Sequence, residues 1–231
     1  MSSNNKNLTY NQTIRGILEF LEVAMHTILY VRQVYPPEIF VRRKKFDTPV
    51  FQSRHPALNE YISGAIKAVG TEIVKENLDK VVVVIKDKQQ NALERFMFSL
   101  EKMLEIESYN KDTTVDDAMT PGTLSSHFRA FLVKLNMIEA QLGLLESDED
   151  ISFAILIELK EGKEPTAKGE DPAPWIPADN QHTTQGASEE AELHIIRSVH
   201  TGILNVSLTV QESVQKMEKM KEVSKRRPQN V

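Results

Sequence analysis

The chain has 231 residues, 40% of them hydrophobic, a net charge of 28 − 33 = −5, and no cysteine. Disulfides, thiolate nucleophiles and Cys-ligated zinc are excluded, and the acidic balance argues against a protein built to coat nucleic acid. The first seven residues are polar rather than a signal-peptide core, and no apolar run reaches the ~18 residues of a membrane span, so a soluble intracellular chain without membrane contact is expected.

The first predicted element is a helix over residues 10–34. Ile14, Ile17, Leu18, Leu21, Met25, Ile28 and Leu29 recur at three- and four-residue spacing, and Phe20, Val23, Ala24 and Val31 spread the apolar surface around the cylinder. A helix apolar nearly all round belongs at the centre of a domain. Tyr35-Pro36-Pro37 ends it, because a residue before proline avoids the helical region. Residues 39–46 and Val50-Phe51 read as short extended segments around a basic turn, Arg42-Arg43-Lys44-Lys45. That turn is either solvated or a contact for phosphate or an acidic partner. A second helix starts at His55-Pro56 and runs through Leu58, Ile62, Ile66 and Val69, with Gly70 weakening its end.

Val81-Val82-Val83-Val84-Ile85 is the strongest strand signal, and an unbroken β-branched run means burial on both faces. Residues 87–91 supply a turn. Residues 93–100 then alternate, with Phe96, Phe98 and Leu100 opposite Arg95, Met97 and Ser99, completing a hairpin. A polar loop over residues 108–120 leads to a third helix that opens at Thr120-Pro121 or Thr123. It carries the stripe Leu124, Phe128, Phe131, Leu135, Ile138 and Leu142. After Ser147-Asp148-Glu149-Asp150 comes a strand over residues 153–159. Residues 193–199 and 204–210 form two more strands around Thr201-Gly202, and residues 213–231 form a charged tail, a frayed helix passing into disorder. This order predicts an α+β fold with three helices on one face of a largely antiparallel sheet.

Between the last helix-linked strand and the returning strands lies a polar stretch, residues 161–191, with four of the ten prolines and three of the nine glycines. It holds the sole tryptophan, in Pro174-Trp175-Ile176-Pro177. Ordering some thirty residues is costly, so one large anchor there means either that Trp175 covers the domain's own edge or that it grips a partner.

No motif carries catalytic chemistry. The six histidines show no ligand spacing, and nucleotide loops, nucleophile elbows and dinucleotide fingerprints are missing. His26 reads as a hydrogen-bonded core residue and His55 as a helix start. Arg129, set among Phe128, Ala130 and Phe131, reads as a helix-face ion pair or as an interface anchor. No enzyme and no cofactor are expected. A small hydrolase would need a His–carboxylate pocket that the sequence does not show.

Leu29-Tyr30-Val31-Arg32-Gln33-Val34-Tyr35-Pro36, His55-Pro56-Ala57-Leu58-Asn59-Glu60-Tyr61-Ile62, the valine strand, Phe128-Arg129-Ala130-Phe131 and Pro174-Trp175-Ile176-Pro177-Ala178-Asp179 together resemble the HORMA-domain family over about residues 18–210. The helix start at His55 is most similar to that of accessory subunits of translesion DNA polymerase zeta. The resemblance implies one HORMA domain over residues 8–212 (core 8–160, safety belt and returning strands 161–212) with a flexible tail after it. It also implies a non-catalytic, nuclear adaptor acting in DNA damage and repair. A peptide of the polymerase zeta catalytic subunit would lie under the belt against Tyr61 and Trp175. The C-terminal domain of a second translesion polymerase would meet Leu193, Ser207 and Thr209, and Arg129 would serve a HORMA–HORMA dimer. Spindle-checkpoint and meiotic adaptors of the same family are the alternative, and direct nucleic-acid binding is not implied.

Overall fold

The computed structural model describes residues 6–103, 110–143, 145, 151–166, 173–183 and 191–218. Its first helix, α1 (Tyr10–Val31), opens with a reciprocal cap: Gln12 N–H donates to Thr9 Oγ1 (3.2 Å) and Thr9 N–H donates to Gln12 Oε1 (3.0 Å). Phe20 is fully buried at its centre, stacked on Phe128 at 4.5 Å and edge-on to Phe98 at 6.1 Å. α1 stops earlier than the proline signal implies. Gln33 adopts φ 51°, and Val34 N–H reaches Leu29 O while Gln33 N–H reaches Tyr30 O. This is a Schellman close with glutamine where glycine is usual, so no residue type advertised it.

A two-stranded hairpin follows, β1 (Phe40–Lys45) and β2 (Thr48–Ser53), with Lys45 opposite Thr48. The basic run is therefore the strand itself rather than the turn. The turn is Phe46-Asp47, both at positive φ (49° and 53°), the geometry of a tight two-residue hairpin. Lys44 pairs with Asp47 and Lys45 with Glu19, so the first reading, a solvated surface, accounts for half of the basic run.

Helix α2 (Pro56–Val74) starts where predicted, with Leu58 N–H donating to His55 Nδ1. It runs through Gly70, and that glycine is a contact rather than a breaker: a Cβ there would lie 2.9 Å from Leu18 Cδ1, so its absence lets α2 close on α1. Helix α3 (Pro121–Asn136) is capped by Thr120. Ile138 and Leu142 continue its stripe, but the chain breaks at Met137 and resumes as the short α4 (Glu139–Leu142).

The main sheet has five strands in the order β5-β3-β4-β7-β6, all neighbours antiparallel. They are β3 (Leu78–Lys86), β4 (Ala92–Lys102), β5 (Ser152–Leu159), β6 (Glu192–His200) and β7 (Leu204–Glu212). Predicted central, β3 is flanked by β4 and β5, and Val81–Ile85 are at most 1% exposed. One face, with Phe96, Phe98 and Leu100, packs on the helices. The other carries a small cluster of Val82, Val84 and Met97. At the β6–β7 turn Gly202 has φ 86°, and a Cβ would fall 1.8 Å from Asp117 O, so glycine is required there on two grounds.

One buried ionic network joins residues far apart in the chain. Arg32, the C-cap of α1, makes a two-pronged bond to Glu94 (Nε 2.9 Å, Nη2 2.6 Å), with both side chains at most 1% exposed. Lys216 enters from beyond β7, bonding Glu94 (2.6 Å), Glu212 and the Leu142 carbonyl (2.9 Å). Residues 214–218 are helical and Lys216 is buried, so the charged segment after Ser213 begins as part of the fold. The basic end, Lys225-Arg226-Arg227-Pro228, and the acidic run at 147–150 lie outside the described residues.

His26 is the core histidine the sequence implies: Ser53 N–H donates to its Nδ1 at 3.4 Å. Burial lowers its pKa to about 4 from 6.5. Between those values the unfolded chain takes up a proton that the folded chain refuses. The contribution is thus intact above pH 6.5, fades as pH falls and is gone below about 4. Its size is roughly 3 kcal/mol at most. Urea unfolding of His26→Gln should lose this part of the pH dependence while other acid-sensitive terms remain.

Candidate functional site

Strand β5 is an edge of the sheet, yet seven of its eight residues are only half-exposed and Ile155 is buried. Residues 161–166 and 173–183 of the polar stretch after it cover the edge. The cover is fastened at three places. At its start, buried Glu72 on α2 accepts from Thr166 N–H (2.8 Å) and Thr166 Oγ1–H (3.0 Å), and Lys160 N–H donates to Asn77 O (2.8 Å). The Schellman close of α2, with Glu76 at φ 60°, sets Asn77 there. In its middle, a 3-10 turn at Asn180–His182 sits over the β3–β4 hairpin. Arg95 Nε donates to His182 O (3.1 Å) and Arg95 Nη2 to Gln181 O, while His182 Nε2 lies 2.6 Å from Gln90 O. Burial, offset in part by Glu158, lowers the Arg95 pKa. At its end, the segment enters the sheet as β6.

Between this cover, α2 and β5 runs a channel of about 1150 Å3. Tyr61 and Gly64 of α2, residues 154–157 and 159 of β5, and residues 173–179 of the cover form its walls. The structure brings Tyr61 and Trp175, the two residues assigned to peptide binding, into this one space. Tyr61 is 47% exposed, its ring lies edge-on to Phe153 at 5.6 Å, and its hydroxyl accepts from Ile155 N–H at 3.2 Å. Ile155 therefore turns its backbone away from β3. By the alternation of an antiparallel ladder, Phe153 and Ile157 do the same. Tyr35 meets the other side of this aromatic group, edge-on to Phe153 at 6.1 Å, and burial, then the nearby Tyr61, raises its phenol pKa. Trp175 packs on the core, while its buried Nε1–H has no hydrogen-bond partner among the described residues. A buried orphan donor costs about 1–3 kcal/mol. Next to it, Ile176 is 81% exposed. Both readings of Trp175 thus have a physical basis, since it packs on its own core and also lines the channel.

The other assigned residues lie elsewhere. Leu193 (55% exposed) and Ile195 (77%) are exposed on β6, and Thr209 on β7 sits opposite Ile195, with Ser207 opposite Ser198. Arg129 is exposed on α3, without an ion pair among the described residues. Val133 and Met137, four and eight residues on, extend an exposed stripe from it. Sequence reasoning missed Ile195, Val133 and Met137, because an alternating strand or striped helix does not reveal which face a neighbour covers. It also missed Arg95, which was read only as the outward partner of Phe96.

A family model described as "HORMA domain" matches residues 15–204. The chain is a HORMA-domain protein. It is 34% identical over 219 residues to "Mitotic spindle assembly checkpoint protein MAD2B" of Danio rerio, covering 91% of this chain and 96% of that one. To the protein of the same name from Homo sapiens it is 33% identical over 217 residues, with the same coverage. "DNA polymerase zeta processivity subunit" of Schizosaccharomyces pombe is 32% identical over 146 residues, 62% of this chain and 67% of that one. Among solved structures, a chain of "Crystal Structure of Mitotic Checkpoint Complex" superposes with TM-score 0.69 at 20% identity, covering 87% of this chain and 99% of that one. "Structure of C. elegans HTP-1 bound to HIM-3 closure motif" gives 0.68 at 11% identity, covering 88% and 91%. At such identities the structural matches establish the HORMA fold, α+β with an antiparallel sheet.

With the fold named, the cover over β5 is the segment that the family resemblance describes as a safety belt, and it is called the belt below. Arg95 is its middle fastening. Arg95→Ala should raise the rate of protease cleavage within residues 173–183 about tenfold, by removing a charged hydrogen-bonding pair worth roughly 1.5–3 kcal/mol. Cleavage of the folded core should be unchanged in the same digest.

Proposed function

We propose that this HORMA protein is a non-catalytic, nuclear adaptor subunit of DNA polymerase zeta in translesion synthesis, holding a segment of the catalytic subunit as an added strand on β5 beneath the belt. The observation that carries this reading is the outward-facing backbone of β5, roofed by a belt pinned on both sides of Trp175, with Tyr61 and Trp175 in one channel. Strand addition supplies backbone hydrogen bonds for affinity and side-chain pockets for choice. An eight-residue edge such as β5 is about 27 Å long, room for a peptide of similar length. The choice of polymerase zeta rests on the names of relatives, the fission yeast processivity subunit and a Drosophila melanogaster "DNA polymerase zeta subunit 2" that is 32% identical over 85 residues.

In this reading Leu193 with Ser207 and Thr209 meets the C-terminal domain of a second translesion polymerase. The exposed Ile195, opposite Thr209, adjoins that surface. Arg129, with Val133 and Met137, serves a HORMA–HORMA contact. Because the relatives from Danio rerio and Homo sapiens carry the spindle-checkpoint name, a checkpoint partner is the second reading. Affinity capture of the tagged chain from its own cells decides between them: recovery of the polymerase zeta catalytic subunit supports the first. Recovery of checkpoint proteins without it supports the second.

A further inference from the structure

We propose that Thr166 is a phosphorylation site that opens the belt at its first fastening. Thr166 is exposed, yet both of its donors reach a carboxylate that is not. Its N–H donates to Glu72 Oε1 at 2.8 Å and its Oγ1–H to Glu72 Oε2 at 3.0 Å, and Glu72 is 1% exposed. Asn77 Nδ2 donates to the same Oε2 at 2.9 Å. No cation pairs with Glu72 among the described residues. It also lies in the last turn of α2, where the helix dipole disfavours negative charge. This buried carboxylate is held by neutral donors, and two of these three belong to Thr166.

The step transfers the γ-phosphoryl group of ATP to Thr166 Oγ1. A P–O bond forms at Oγ1, the bond to the β-phosphate oxygen breaks, ADP leaves, and the hydroxyl proton passes to the base of the kinase. The product carries about −1.5 to −2 charge at pH 7 and has lost the O–H that Glu72 accepts. Beside a buried carboxylate without a cation it is repelled, so the fastening does not close again. The kinase acts on the open fastening, where the hydroxyl is free, and the added charge traps that state. The residues before the acceptor suit a kinase that reads basic side chains, since Lys163 lies three positions before Thr166 and Lys160 six. Arg95 and the pairing of β6 still hold the rest of the belt. Opening at Thr166 therefore uncovers the α2 side of the channel, where Gly64, Ala65 and Ala68 lie beneath Glu164 and Pro165. That this admits or releases a peptide rests on the function proposed above, whereas the fastening itself does not.

The test uses the full chain without peptide, so its outcome is separate from what the channel binds. Trypsin should cut after Lys160 and Lys163 about tenfold faster in Thr166→Glu than in the parent, while cleavage of the folded core is unchanged. Thr166→Gln, of the same size but uncharged, should be cut more slowly than Thr166→Glu. In the chain isolated from its own cells, mass spectrometry should find phosphate on Thr166. Phosphatase treatment should return that fraction to the parent rate of cleavage. The proposal is overturned if Thr166 carries no phosphate in a peptide map that covers it, or if Thr166→Glu is cut like the parent. It is overturned as well if the two variants are cut alike, since loss of the hydroxyl would then account for the opening without charge.

Discussion

Replacing Trp175 by alanine should weaken binding of a strand-forming peptide by about 30-fold or more, the effect of an interface residue worth at least 2 kcal/mol. The indole is the largest side chain of the belt's channel wall, so a peptide lying in the channel packs against it. Tyr61→Ala should have an effect of the same order, because it removes both the ring against Phe153 and the hydroxyl that holds Ile155 N–H. Tyr61→Phe separates the two roles by removing the hydroxyl alone. Calorimetric titration of one peptide against the three variants measures all of this. Digestion without peptide then separates gripping from fastening. If Trp175→Ala also speeds cleavage at residues 173–183, the indole pins the belt; if cleavage is unchanged, it acts on the peptide. Parent-like affinity in both Trp175→Ala and Tyr61→Ala would remove the channel from the function.

Glu94→Ala should destabilise the fold by about 3–5 kcal/mol, because it leaves the buried cations Arg32 and Lys216 facing each other without their shared carboxylate. For a domain of this size each kcal/mol moves Tm by about 2–4 °C, so a fall of roughly 6–20 °C is expected. Lys216→Met should cost less, since Arg32 and Glu94 still pair. Thermal unfolding of both variants checks the order. If the two are equal and small, the network contributes nothing to stability. The network joins the end of α1, β4, β7 and the segment after it, so its loss should loosen the strands that anchor the belt.

Much of the fold could be read because its signals are local. Five consecutive β-branched residues leave no face for solvent, and Phe96, Phe98 and Leu100 state which side of β4 meets the helices. The belt was legible as a contrast, one tryptophan in a polar stretch between two strand patterns. What escaped were features made by distant residues. Both Schellman closes place Gln33 and Glu76 at positive φ with no glycine to mark them. Glu94 did leave a trace: it occupies a helix-facing position of β4, where an unpaired carboxylate would be intolerable, so a buried cation had to exist somewhere. Its partners, 62 and 122 residues away, could not be named from the pattern. For the channel, Tyr61 and Trp175 came from the family resemblance. The residues that fasten the belt, Glu72 and Arg95, carry ordinary charges at ordinary positions.

Whether a partner adds as a strand to β5 is read most directly by amide hydrogen exchange at Phe153 and Ile157, with and without a peptide from the polymerase zeta catalytic subunit. Their N–H groups face away from β3, so peptide pairing should slow their exchange by at least 100-fold, while Val82 and Val84 in the sheet centre change little. Unchanged exchange at Phe153 and Ile157 under saturating peptide would contradict strand addition beneath the belt.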